Sequence, residues 1–142
     1  MKFDTANPVI KLLAEGMNFE GEGKKEEAIK CFHKAWNTSL TDFEKCISAH
    51  YIARHQNTVI EKLEWDEKAL NIALTINEEE IKGLLPSLYL NIAKCHEDLN
   101  NYLNANKNYK LALSYLQYLS NDGYGKMICA GIRNGLQRTE KS

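Results

Sequence analysis

An excess of either charge sign is what this sequence most plainly lacks. Its 18 lysines and arginines stand against 19 aspartates and glutamates, a net charge of -1. A chain so balanced exerts no global pull on phosphate backbones or anionic lipid, which disfavours nucleic acid and membrane surfaces as partners. Long apolar runs are missing as well. No stretch approaches the roughly 18 apolar residues of a membrane span, and the opening MKFDTANPVI has no apolar segment preceded by basic residues. The expected location is the cytoplasm. Catalytic signatures are also absent: there is no G-x-S-x-G, no H-E-x-x-H and no glycine-rich phosphate loop, nor any strand pattern to carry one. Neither enzymatic activity nor a cofactor is expected.

Clustered metal ligands are wanting too. Cys31, Cys46, Cys95 and Cys129 are spread one to a segment with no C-x2-C pair, and His33, His50, His55 and His96 complete no short-spaced set with them. No metal site is expected. With no secretion signal, the cysteines read as four small buried side chains rather than as disulfides.

What the chain does have is helical periodicity. Its 142 residues, 44% hydrophobic and 26% charged, are enough for one domain with a buried core. Asn7-Pro8 predicts a capped helix that ends in GEG at 21 to 23. A second helix opens at Lys24-Lys25-Glu26-Glu27 and places Ala28, Phe32, Ala35 and Trp36 on one face. Thr41 or Asp42 caps a third, which runs to His55 or Gln56. Thr58-x2-Glu61 is a capping box for a fourth that reaches Ile76, with Trp65 expected in the core. Pro86 begins or kinks a fifth. The Asn100-Asn101 turn leads to a sixth that extends to Leu119. After Ser120-Asn121-Asp122-Gly123 a last helix carries Ile128, Ile132 and Leu136, with Gly131 and Gly135 allowing close approach to a neighbour.

Within this succession one pattern recurs. In 86–119, Tyr89, Ile92, Ala93 and His96 are followed by Ala105, Tyr109 and Ala112, and Tyr89, Tyr102 and Tyr109 can fill space beside the alanines. Near the start, Leu12, Gly16 and Phe19 are followed by Gly23, Ala28, Phe32 and Ala35 in the same frame, with only Glu15 breaking the apolar order. A weaker copy lies between, where Ala69 follows Ala35 by a period of about 34 residues, although Lys62 and Asp66 replace small and aromatic residues. The pattern resembles the tetratricopeptide repeat (TPR), whose signature is W-x2-L-G-x2-Y followed by A-x3-F and a further Ala. The resemblance covers about three quarters of the chain.

That resemblance implies an all-α fold: a TPR-like right-handed superhelix of three helical hairpins, at about 8–38, 41–77 and 79–119, with a C-terminal capping helix over about 123–138. It implies a non-enzymatic adaptor or scaffold that holds a peptide or protein in its concave groove. In the family's register, the groove residues are Leu13 and Met17 on the first helix. The third supplies Ile47, Tyr51, Arg54 and His55, and the fifth supplies Leu90, Asn91, Lys94 and Glu97. Glu20 and Asp98 share the face, and Arg54 and Lys94 would fix a carboxylate. Leu13 and Met17 stand where family members that clamp a C-terminal carboxylate have Lys and Asn, so recognition of chaperone tails is not implied. Two other readings remain open: a small-ligand or enzymatic site on His50, Tyr51, Arg54 and His55, and a structural homo-oligomer such as a homodimer.

Overall fold

The computed structural model describes residues 6–140, and among them the chain is all-α, with seven helices, two 3₁₀ turns and no strand. It forms a helical bundle compatible with a helical-repeat fold. The helices are α1 (Pro8–Gly21), α2 (Lys25–Thr38), α3 (Asp42–Ala53), α4 (Val59–Ala73), α5 (Leu85–Asp98), α6 (Tyr102–Ser114) and α7 (Gly123–Thr139). Packing divides the chain into two compact units, Met1–Ile76 and Asn77–Ser142.

The helix starts follow from the side chains that satisfy orphan backbone N–H groups. Asn7 accepts from the N–H of Val9 at 2.8 Å and of Ile10 at 3.2 Å, and Pro8 follows where a missing N–H costs nothing. Thr41 and Thr58 accept from the N–H groups of Glu44 and Glu61, each at 3.1 Å, and Asp122 accepts from that of Gly125 at 2.9 Å. Pro86 lies in the first turn of α5, so it begins that helix and does not kink it. The ends depart from the pattern in three places. Helix α3 stops at Ala53, short of the expected His55 or Gln56. Helix α4 stops at Ala73, short of Ile76, and α6 stops at Ser114, where a 3₁₀ turn at Leu116–Tyr118 replaces the expected continuation to Leu119.

In the first unit α1 pairs with α2 and α3 with α4, while α3 also packs on α2 and touches α1. The second unit repeats the arrangement with α5, α6 and α7 in the places of α1, α2 and α3. Phe32 and Tyr109, equivalent residues at the centres of α2 and α6, are both fully buried, and each such ring contributes about 1.5–3 kcal/mol by leaving water. The neighbours are small because the ring needs the space. A Cβ added at Gly16 would collide with Phe32, and one added at Gly135 would collide with Tyr109. Ala28, Ala35, Ala93, Ala105 and Ala112 are likewise fully buried.

Three expectations about the core are corrected. Cys31, Cys46 and Cys95 are buried, with the Cys46 thiol donating to the Ala69 carbonyl at 3.3 Å, but Cys129 is partly exposed. Tyr102 does not fill space beside the alanines. It sits at the solvent-facing start of α6, 40% exposed. Trp65 is only half-buried; it meets Trp36 edge to face at 5.3 Å and carries the Lys68 ammonium over its ring at 4.2 Å. No helix among the described residues is long and apolar enough to cross a membrane.

Candidate functional site

Of the residues singled out on the first and third helices, Glu20, Tyr51, Arg54 and His55 meet at one place in the first unit. Helix α1 closes through a three-residue turn in which Gly23 takes a positive φ of 77°, leaving Glu20 on its last turn. Helix α3 ends at Ala53, which places Arg54 and His55 just beyond its last turn. The Glu20 carboxylate accepts from Arg54 Nη2 at 2.7 Å and lies 2.5 Å from His55 Nε2 through its other oxygen. Beneath this pair, Phe32 stacks on Tyr51 at 5.2 Å and on His55 at 5.7 Å. The Arg54 guanidinium lies 4.8 Å from the centre of the Tyr51 ring, within cation–π range.

The carboxylate that Arg54 holds is therefore one of the chain's own. Its side chain is still 44% exposed, against 17% for Glu20. Leu13 and Ile47 are 2% and 3% exposed, so both pack in the interior and present no open face. Met17, by contrast, is 40% exposed on the same helix as Glu20. Helical spacing explains the split: Leu13 falls on the stripe of Val9 and Gly16, which α1 buries.

His50 has a different environment. Its Nδ1 is buried with no hydrogen-bond partner among the described residues, and its ring meets Tyr51 at 5.6 Å. Burial, reinforced by the nearby positive charge of Arg54, pushes its pKa down to about 4, so the imidazole is neutral at physiological pH.

In the second unit, the α5 residues are drawn into contacts with their own neighbours. Glu97 accepts from Arg138 of α7 at 2.7 Å and 3.0 Å through both oxygens, and from the Tyr109 hydroxyl at 2.6 Å. The guanidinium and the phenol hold its carboxyl below the usual range, the guanidinium foremost. Burial and the adjacent carboxylate raise the Tyr109 phenol well above its ordinary value. Leu90 packs beneath Gly131 of α7, where an added Cβ would lie 3.3 Å away. Lys94 pairs with Asp98 one turn along at 3.0 Å, and both are exposed. Asn91 is partly buried.

Sequence reasoning missed Arg138, although a signal for it exists. Tyr51, Arg54 and His55 have the same mutual spacing as Gly135, Arg138 and Thr139, and Glu20 and Glu97 lie the same 77 residues apart as Phe32 and Tyr109. A carboxylate in the last turn of the first helix and an arginine on or just past the third thus form a clamp in each unit.

Among the described residues, no group of three His, Cys, Asp or Glu side chains is placed to hold a metal ion. Compared with known proteins, the chain matches no family model, no curated protein and no solved structure.

Proposed function

We propose that this chain is a non-enzymatic helical-repeat scaffold of the tetratricopeptide type, a right-handed superhelix ending in a capping helix, that holds a peptide or protein segment in the cytoplasm. The repetition of the α1–α2 hairpin by α5–α6 carries this reading. The two hairpins match in their small residues, their central ring and their turn. In both turns the residue after the last helical turn donates to the carbonyl four back, Glu22 to Asn18 at 3.1 Å and Leu99 to Cys95 at 3.0 Å. Lys24 and Asn101 then reach back to Phe19 and His96, each at 2.8 Å. Arrays of such hairpins bind extended segments along the faces of their first helices.

On the first unit, the groups available to a partner are Met17, the accessible part of Tyr51, and Arg54. Met17 offers a flexible apolar contact. Glu20 engages a single nitrogen of Arg54, which leaves the other donors of the fork for a carboxylate on the partner. Recognition would thus combine an apolar side chain against Met17 and Tyr51 with an acidic group on Arg54.

Affinity capture from cytoplasm tests the proposal, comparing the wild-type chain with Met17→Asp and Arg54→Ala variants of matched thermal stability. The same protein recovered with wild type and lost with both variants supports it. Equal recovery by all three removes these residues from any binding site.

The alternative of a small-ligand site has one observation in its favour, the neutral His50 beside Tyr51, whose Nδ1 is buried without a hydrogen-bond partner among the described residues. A metabolite mixture that shifts the His50 ring protons in an NMR titration would favour that alternative.

A further inference from the structure

Helices α4 and α6 occupy equivalent places as the second helices of successive hairpins, and each turns one stripe to solvent. On α4 the stripe is Ile60, Glu64, Glu67 and Asn71; on α6 it is Leu103, Lys107, Lys110 and Ser114. The spacing is the same, i, i+4, i+7 and i+11, which keeps four side chains on one face of a helix. All eight residues are exposed. Ile60 and Leu103 are unusually so for their type, at 58% and 84%.

The two stripes share an apolar residue at one end and a small polar residue at the other, and carry opposite charge between them. Glu64 and Glu67 have no ion-pair or hydrogen-bond partner among the described residues, and neither have Lys107 and Lys110. Helix α6 contains no acidic residue at all. The corresponding positions on α2 are Glu26, Lys30, His33 and Asn37, a mixture with no apolar member. A solvated helix face needs neither the exposed leucine nor the segregation of sign.

We infer that α6 of one copy of this chain docks on α4 of a second copy. Aligned in parallel, the two helices set Leu103 against Ile60, Lys107 against Glu64, Lys110 against Glu67, and Ser114 against Asn71. The apolar pair excludes water at one end, and the two charge pairs fix the register and reject the mismatched pairings of α4 on α4 and α6 on α6. Because the two surfaces differ, the contact is heterologous: each copy offers both stripes, and association proceeds head to tail until a ring closes. This inference does not depend on the peptide-binding proposal, since none of the eight residues belongs to that site.

Sedimentation equilibrium of the whole chain at low ionic strength tests it, with charge-reversed variants. Wild type should gain mass with concentration and lose that gain in high salt. Lys107→Glu with Lys110→Glu, and separately Glu64→Lys with Glu67→Lys, should each weaken self-association about tenfold or more. An equimolar mixture of the two variants should recover it, because the reversed stripes then match each other. Should either reversal unfold the chain, as judged by circular dichroism, the glutamine versions K107Q/K110Q and E64Q/E67Q replace it, and both should weaken association. A wild-type chain that stays monomeric at every concentration overturns the inference. So do variants that associate like wild type, or a mixture that stays monomeric. Binding of monomeric wild type to vesicles of anionic phospholipid through Lys107 and Lys110 would assign the α6 stripe to a lipid surface and equally overturn it.

Discussion

The two units solve one packing problem in opposite ways. Each must fit a large ring at the centre of its second helix between two flanking helices. In the first unit α1 gives way with Gly16, and α3 brings the Tyr51 ring up against Phe32. In the second, α5 carries Ala93 at the equivalent place and α7 gives way with Gly135, beside Tyr109. The small residue has moved from one flank to the other. The polar clamp changes with it: the Tyr109 hydroxyl joins Glu97 and Arg138, whereas Phe32 has no hydroxyl and His55 takes the second place on Glu20. Equivalent positions therefore share a role without sharing a residue, because packing constrains the volume of the set rather than each member.

This comparison can be broken most forcefully at the glycines. Gly135→Ala puts a methyl group into a ring whose hydroxyl is fixed by two partners, and should cost about 2–3 kcal/mol despite the better helix propensity of alanine. Gly16→Ala should cost a similar amount alone. It should couple favourably to Tyr51→Ala by about 1 kcal/mol, since removing the Tyr51 ring lets Phe32 shift away from α1. Urea unfolding of the single and double variants measures the coupling. Strictly additive losses would mean that the volume exchange is illusory.

The clamps should separate next. Arg138→Ala leaves the Glu97 carboxylate, only 13% exposed, with the Tyr109 hydroxyl alone. The loss should be about 1–2 kcal/mol, held toward the low end because Arg138 is itself half in solvent. Arg54→Ala should cost less than about 1 kcal/mol, since Arg54 is exposed and Glu20 keeps His55. The same urea measurement checks both, and an equal loss would show the clamps to be energetically interchangeable.

Much of this fold was legible in the residues. Asn7-Pro8, Thr41, Thr58 and Asp122 mark helix starts through short-range hydrogen bonding, which sequence encodes directly. The stripes of Ala28, Phe32 and Ala35 and of Ala105, Tyr109 and Ala112 mark the buried faces by period. The site was less legible, because a helix face that one register turns outward can be covered by a third helix. Glu97 and Leu90 were taken up by α7 in that way, whereas Leu13 and Ile47 lie on faces that α1 and α3 bury. That Arg54 meets Glu20 across 34 residues depends on where two helix ends come to lie, which no local pattern specifies.

The units should also part company in acid. His50 is neutral when folded, with a pKa pushed down to about 4, against about 6.5 unfolded. The unfolded chain binds the proton more readily, so the contribution of the neutral histidine is complete above pH 6.5 and is lost as pH falls toward 4. With the ring only partly buried, the first unit should lose about 1–2 kcal/mol by pH 5. Glu97, whose carboxyl is held low mainly by Arg138, acts in a lower window. Its contribution is present above the unfolded carboxyl value of about 4.3 and fades only as pH falls below it. Hydrogen exchange between pH 6.5 and 5 should therefore show α1 to α3 losing protection while α5 to α7 keep theirs, and His50→Gln should flatten the difference. Parallel loss in both units would rule out His50 as its source.

The smallest expected effect lies in the turns, and it isolates backbone from side chain. Gly23 and Asn100 occupy the same place, 77 residues apart, with φ of 77° and 62°. Glycine adopts this left-handed conformation freely, whereas asparagine tolerates it at a modest cost. Asn100 has one compensation that glycine would lose, the hydrogen bond its side chain accepts from the Tyr102 hydroxyl at 3.0 Å. Gly23→Asn should therefore cost about 0.5 kcal/mol, since Lys25 at the corresponding position has no hydroxyl to offer. Asn100→Gly should be close to neutral, the relief of backbone strain offsetting the lost exposed hydrogen bond. In the Tyr102→Phe background that bond is already gone, and Asn100→Gly should then stabilise the second unit by about 0.5 kcal/mol. Thermal melts of the three variants resolve the sign, and destabilisation by Asn100→Gly in the Phe background would show that the two turns are alike in shape but not in energy.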